Sequence, residues 1–204
     1  MRKMYLTSGG LNKLSGILPK PPSETKVAFI PTAADTYDDK WFVDADCKKL
    51  TDLGFQLTLI DIKNQKENEL HELLKEFDVI YMTGGNSFYL LEKIYESGFD
   101  KVIKELLDKG VVYVGASAGA VVMCPTIEPL VELDDPSKAP NLKSNKGLKV
   151  IDFVILPHYG KEKYIEKYKK IMHTYQNKGY EMITLTDQHA IIVEGSNYQV
   201  VDTD

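Results

Sequence analysis

A serine stands midway between two glycines in Gly115-Ala116-Ser117-Ala118-Gly119, behind the apolar run Val111-Val112-Tyr113-Val114 and ahead of Ala120-Val121-Val122-Met123. This pattern predicts a strand, a sharp turn and a helix, with Ser117 at the corner. A serine that attacks a carbonyl must project its hydroxyl from a tight turn, and the crowded backbone there needs small neighbours, which Gly115 and Gly119 supply. At a helix N-terminus the leading N–H groups are free and the dipole end is positive, so the Ala118 N–H is a candidate oxyanion donor. The competing reading is a compact strand-to-helix connection without chemistry.

A serine hydroxyl is a poor nucleophile unless a base accepts its proton. Of the four histidines, His158 fits best, because Pro157-His158-Tyr159-Gly160 follows an apolar run at 150–156 and ends in a glycine turn that leaves the ring accessible. His189 lies beside a turn and is a weaker rival, whereas His71 and His173 fall within helical patterns. The base in turn needs a carboxylate to hold its tautomer and stabilise the imidazolium. Asp187, at a turn after the apolar run 182–186, is favoured by position; Glu132, Asp134 and Asp135 of an acidic segment are the alternatives. A second oxyanion donor is available in Gly84-Gly85, where glycine allows backbone to approach a reacting carbonyl. Asn86 beside it is placed to meet a substrate, orient that loop or cap the next helix.

The elements that must position these groups alternate along the chain. Short apolar runs at 4–7, 26–31, 55–62, 78–82 and 111–116 read as strands, separated by helical periodicity at about 38–53, 66–76, 87–96 and 100–109. That alternation is the signature of a parallel α/β sheet, which binds ligands beyond the carboxyl ends of its strands. The first run ends in the turn Ser8-Gly9-Gly10, and Gly9-Gly10, residues 32–35, residues 83–87 and Ser117 all fall at such ends. The acidic segment 128–135 and the Lys/Asn/Ser stretch to about 147 lack periodicity and read as a surface flap. Runs at 182–186, 190–193 and 198–201 read as an antiparallel meander at the sheet edge.

With 204 residues, 43% hydrophobic and 27% charged, the chain is expected to form one domain over 1–204 with a full core. A formal net charge of -5 gives no electrostatic reason to expect a nucleic-acid partner. No apolar run approaches the roughly 20 residues of a membrane span, and no signal-peptide core follows Met1, so a cytoplasmic protein without membrane contact is expected. Cys47 and Cys124 make neither a disulfide framework nor a metal site, and no histidine spacing suits zinc.

Three motifs in order, Thr83-Gly84-Gly85-Asn86-Ser87-Phe88, Gly115-Ala116-Ser117-Ala118-Gly119-Ala120 with Cys124-Pro125 behind it, and Pro157-His158-Tyr159, resemble the aspartyl dipeptidase (peptidase E) family of serine peptidases. The resemblance runs from about Tyr5 to Val201. It implies a class I glutamine-amidotransferase-like, flavodoxin-like α/β fold: a three-layer sandwich with a mostly parallel central sheet and antiparallel strands near the C-terminus. Taken residue by residue, it implies Ser117 as nucleophile, His158 as base, and Gly85 and Ala118 as oxyanion donors. Thr184-Leu185-Thr186-Asp187 occupies the place of the family's acid-bearing strand and turn, so Asp187 is the expected acid and Glu132 its alternative.

Family members that cleave after an N-terminal aspartate carry arginines after the histidine. Here the segment reads Lys161-Glu162-Lys163-Tyr164, leaving Lys161 and Lys163 as candidate substrate contacts; each is a point charge without arginine's bidentate fork. The implied function is hydrolysis of dipeptides or small peptides through an acyl-enzyme, with an N-terminal aspartate preference open, no cofactor or metal, and a homodimer as a possible assembly. Alternatives are a non-catalytic or regulatory small-ligand-binding protein that keeps the serine elbow, and an esterase or other acyl hydrolase.

Overall fold

The computed structural model describes residues 1–203. In chain order its strands and helices are β1 (Lys3–Thr7), β2 (Lys26–Ile30), α1 (Trp41–Asp52), β3 (Gln56–Leu59), α2 (Glu67–Leu74), β4 (Val79–Met82), α3 (Ser87–Ser97), α4 (Phe99–Asp108), β5 (Val112–Ala116), α5 (Ala118–Val121), β6 (Val154–Leu156), α6 (Ile165–Tyr175), β7 (Met182–Thr184), β8 (His189–Glu194) and β9 (Asn197–Asp202). Seven strands form one sheet in the order β3-β2-β4-β5-β1-β8-β9. The first five run parallel, and β8 and β9 are antiparallel additions at the edge.

Successive strand residues point to opposite faces, and here both faces are apolar, so each needs its own cover. Val27, Phe29, Val79, Tyr81, Val112 and Val114 pack with Leu50 of α1 and with Leu11 and Leu14 of the N-terminal turns. Ala28, Ile30, Ile80, Met82 and Tyr113 face the opposite side, against apolar residues of α2, α3, α4 and α6. Three layers follow, as expected. Each large apolar side chain buried this way contributes about 1.5–3 kcal/mol, and Phe29 stacks on Tyr81 with ring centroids 5.2 Å apart.

One reading of the sequence is corrected. The run at 182–186 is not part of the antiparallel meander: β7 pairs parallel with β6, as a separate two-stranded sheet. The reason is the length of α6 and its flanking turns between them, which gives a crossover rather than a hairpin. That pairing sets residues after β6 and after β7 side by side, and only β8 and β9 form the antiparallel edge. The segment 128–147 lies largely at the surface beside the site, as read, and is anchored there. Ile127 and Leu130 are buried in the core, the Ile127 N–H donates to Asn145 O at 2.9 Å, and the Asn141 N–H donates to Glu92 at 2.6 Å. Among the described residues, no helix is long and apolar enough to cross a membrane.

Candidate active site

The carboxyl ends of β1, β4 and β5 lie together, because Thr7 pairs with Ala116 and Met82 with Gly115. Ser117 follows directly, with φ 48° and ψ −107°, a conformation costing about 1–3 kcal/mol in a residue with a side chain. Its own backbone bonds hold it there: the Ser117 N–H donates to Thr7 O at 2.8 Å, and Ser117 O accepts from Ala120 and Val121 at 2.9 and 3.0 Å. The flanking glycines are needed for closeness. A Cβ on Gly119 would lie 2.3 Å from Met82 O, and one on Gly115 2.5 Å from Gly119 O. Both obstacles are backbone, so neither can turn aside. Gly119→Ala is therefore expected to cost at least about 3 kcal/mol, by forcing α5 off the sheet; a urea melt showing less than about 1 kcal/mol lost would contradict this packing.

The candidate base comes from the second small sheet. His158 follows β6 with φ 62° and sets Nε2 2.9 Å from Ser117 Oγ. On the other side of the ring, Nδ1 lies 2.5 Å from Asp187 Oδ1, and Asp187 stands beyond β7, next to the β6 strand end. The preceding carbonyl, Pro157 O, accepts the Tyr168 hydroxyl of α6. Burial alone would raise the Asp187 carboxyl, but hydrogen bonds and charge from His158 and Lys161 outweigh it and hold the group far below the usual carboxylate range. Ser117, His158 and Asp187 thus form a contiguous chain of hydroxyl, imidazole and carboxylate contributed by three strand ends.

Gly85, with φ 145°, is pressed so closely on Ala33 that a Cβ would lie 2.0 Å from Ala33 O. Gly84 abuts the serine, its hypothetical Cβ 3.3 Å from Ser117 Cβ. The Ala118 N–H, as the first residue of α5, has no acceptor within the helix. Gly85 lines the same pocket as Ser117, and Ala118 follows the serine directly as the first residue of α5.

Other expectations are redistributed. Asn86 is 2% exposed; its side-chain oxygen caps α3 by accepting from Phe88 and Tyr89, and its amide donates to Asp135 O at 2.9 Å. Its polar atoms are thus engaged in capping α3 and in holding the segment at Asp135. Lys161 pairs with Asp187 Oδ2 at 2.5 Å instead of standing free for substrate. Lys163 lines the pocket with its ammonium 4.7 Å from the Tyr164 ring centroid. Glu132, the alternative acid, pairs with Lys170 at 2.8 Å, and His189 lies 3.2 Å from Thr186 Oγ1; neither joins the Ser117–His158 pair. Asp134 lines the same pocket. Its carboxyl is raised by burial, partly offset by hydrogen bonding to Ser87 and by His158.

These groups open onto a pocket of about 430 Å³, within the range that encloses a small ligand. Its far wall was not foreseen in the sequence: Tyr37, Trp41 and Phe42 form an edge-to-face cluster, and Asp46 and Lys49 follow on α1. Ser8 was also missed. Its hydroxyl lies 3.1 Å from Asp187 Oδ1 and 3.2 Å from His158 Nδ1, and it accepts the His158 backbone N–H at 2.7 Å. The turn signal Ser8-Gly9-Gly10 was visible, but the β1–β5 neighbourhood that brings it to the site was not.

A model of Peptidase family S51 matches residues 10–201. An uncharacterised peptidase of Listeria monocytogenes is 36% identical over 169 residues, covering 83% of this chain and 82% of the relative. Peptidase E of Nostoc sp. is 34% identical over 137 residues, covering 67% of this chain and 53% of the relative. Among solved structures, a Listeria monocytogenes protein described as a peptidase E superposes with a TM-score of 0.92 at 31% identity, over 100% of both chains.

Proposed function

The chain belongs to peptidase family S51, and on that footing we propose that it hydrolyses dipeptides or similarly small peptides by serine-type acyl transfer. The observation that carries this is the chain of contacts Ser117–His158–Asp187 opening onto a dipeptide-sized pocket. Ser117 Oγ attacks the scissile carbonyl as His158 Nε2 takes its proton, and the Gly85 and Ala118 N–H groups receive the oxyanion. His158 then protonates the leaving amine, an acyl-enzyme remains on Ser117, and water repeats the sequence to release the acid. Asp187 stays ionised throughout and stabilises the imidazolium.

The pocket's charges bear on the substrate side chain. Its carboxylates are Asp39, Asp46, Asp134 and Asp187; its ammonium groups are Lys49, Lys161 and Lys163. Lys161 is bound to Asp187 and Lys49 donates to Gly9 O at 3.0 Å, which leaves Lys163, among the described residues, as the one ammonium there without such a partner. An N-terminal aspartate would meet no arginine fork and a surplus of like charge. The aromatic wall of Tyr37, Trp41 and Phe42 suits an uncharged side chain instead.

Dipeptides of a neutral N-terminal residue followed by leucine are expected to be cleaved with kcat/KM at least about tenfold above Asp-Leu, one such factor corresponding to about 1.4 kcal/mol. Amine release from Xaa-Leu and Asp-Xaa panels, run beside Ser117→Ala, measures this. Cleavage confined to Asp-Xaa would overturn the neutral preference and point to Lys163 as the anion contact. No cleavage of any dipeptide, with calorimetric binding of the same peptides, would favour a binding protein over a peptidase.

A further inference from the structure

We propose that Ser8 is a positioning residue that locks His158 in the tautomer whose Nε2 is free to take the Ser117 proton. This rests on the reading of Ser117 as nucleophile and His158 as base, and it concerns a side chain that hydrogen-bonds to the base and the acid and not to the serine.

A hydroxyl has one proton to give and two lone pairs to offer. At Ser8 one lone pair is taken by the His158 backbone N–H, at 2.7 Å. The Asp187 carboxylate, an acceptor only, lies 3.1 Å away at Oδ1, so the single Ser8 proton points there. What remains toward His158 Nδ1, at 3.2 Å, is the second lone pair. Among the described residues, Nδ1 therefore faces two acceptors, Asp187 Oδ1 at 2.5 Å and Ser8 Oγ, and no donor. The ring proton must sit on Nδ1, and Nε2 must present its lone pair to Ser117 Oγ.

The same contacts fix orientation. Asp187 is held from both ends, Oδ1 by Ser8 and Oδ2 by Lys161 at 2.5 Å, so the carboxylate cannot rotate away from the ring. His158 sits in the left-handed region at φ 62°, which a side-chain-bearing residue adopts only when held, and the Ser8 acceptor on its N–H is such a hold. An ordinary serine in a Ser-Gly-Gly turn would bond its own neighbourhood or water. Ser8 is 4% exposed, and its hydroxyl contacts reach 150 and 179 residues along the chain.

The test is the tautomer itself. In protein labelled with 15N-histidine, with His158 assigned by its absence from the His158→Asn spectrum, the neutral imidazole of wild type is expected to show Nδ1 protonated and Nε2 bare. Ser8→Ala is expected to move those shifts toward a mixture. It should also slow phosphonylation of Ser117 by a fluorophosphonate on the order of 10–100-fold, the scale of losing a group that orients an essential ligand or base, while Ser8→Thr, which keeps the hydroxyl, recovers part of the rate. A wild-type His158 protonated on Nε2 would overturn the proposal without any variant having to fold. Unchanged His158 shifts in folded Ser8→Ala would also overturn it, even with a slower enzyme, because the hydroxyl would then be structural only. Failure of the peptidase reading is separate: Ser117 would resist the probe in wild type while the tautomer stayed readable.

Discussion

Replacing Ser117 by alanine is expected to lower kcat on the order of 10⁴-fold or more, with little change in the thermal midpoint. The size follows from the chemistry: without a covalent nucleophile, His158 and the oxyanion donors can only assist direct attack by water, and serine hydrolases stripped of the serine keep no more than that residual catalysis. The fold should tolerate the change, because the bonds holding residue 117 at φ 48° are made by its backbone N–H and C=O and not by Oγ. Steady-state kinetics on the best Xaa-Leu dipeptide, with a melting curve on the same sample, separates the two effects. A Ser117→Ala enzyme within about tenfold of wild type would remove Ser117 from the mechanism.

Asp187→Asn is expected to cost about 10³–10⁴ in kcat, comparable to the loss seen when an amide replaces a triad carboxylate and turns the base to the wrong tautomer. The amide nitrogen would face His158 Nδ1 or lose Lys161, since Asp187 serves both at 2.5 Å. The same substitution has a stability signature with a defined sign. Because the folded carboxyl is held below its ordinary range, it stabilises the fold above about pH 4 and loses that contribution as pH falls through the lower folded value. The melting difference between wild type and Asp187→Asn should thus be full at about pH 7 and shrink in strong acid. A difference that grew on acidification would contradict the assignment. Asp187 is only partly buried, so solvent screens the effect and its size will be modest.

Much of the candidate site was legible in residue types. The serine elbow announced itself because its chemistry demands glycines at fixed offsets, and Gly115 and Gly119 meet backbone oxygens where a Cβ would have stood. His158 and Asp187 stood out by position, since both follow apolar runs that end at the same side of the molecule. Hydrophobic periodicity reveals that a strand exists, however, and not which strand lies beside it. The order β3-β2-β4-β5-β1-β8-β9 is set by crossovers, so the sequence could not say that β1 flanks β5 and delivers Ser8.

The misread meander has the same origin. A short turn at Asp187-Gln188 looked like a hairpin, whereas α6 had already committed β7 to parallel pairing with β6. Charge was equally ambiguous. Lys161 and Asn86 are residue types suited to a substrate, and nothing local distinguishes that from pairing with Asp187 or capping α3. The aromatic wall of Tyr37, Trp41 and Phe42 carried no local signal of a site, because aromatic side chains are as common in cores and interfaces as in pockets.

The most direct measurement is intact-mass analysis after reaction with a fluorophosphonate, followed by peptide mapping. The account predicts a single adduct on Ser117, none in Ser117→Ala, and a greatly slowed reaction in His158→Ala because the serine keeps its proton. No adduct on the wild-type protein, or an adduct on another residue with Ser117 unmodified, would contradict the assignment of Ser117 as an activated nucleophile.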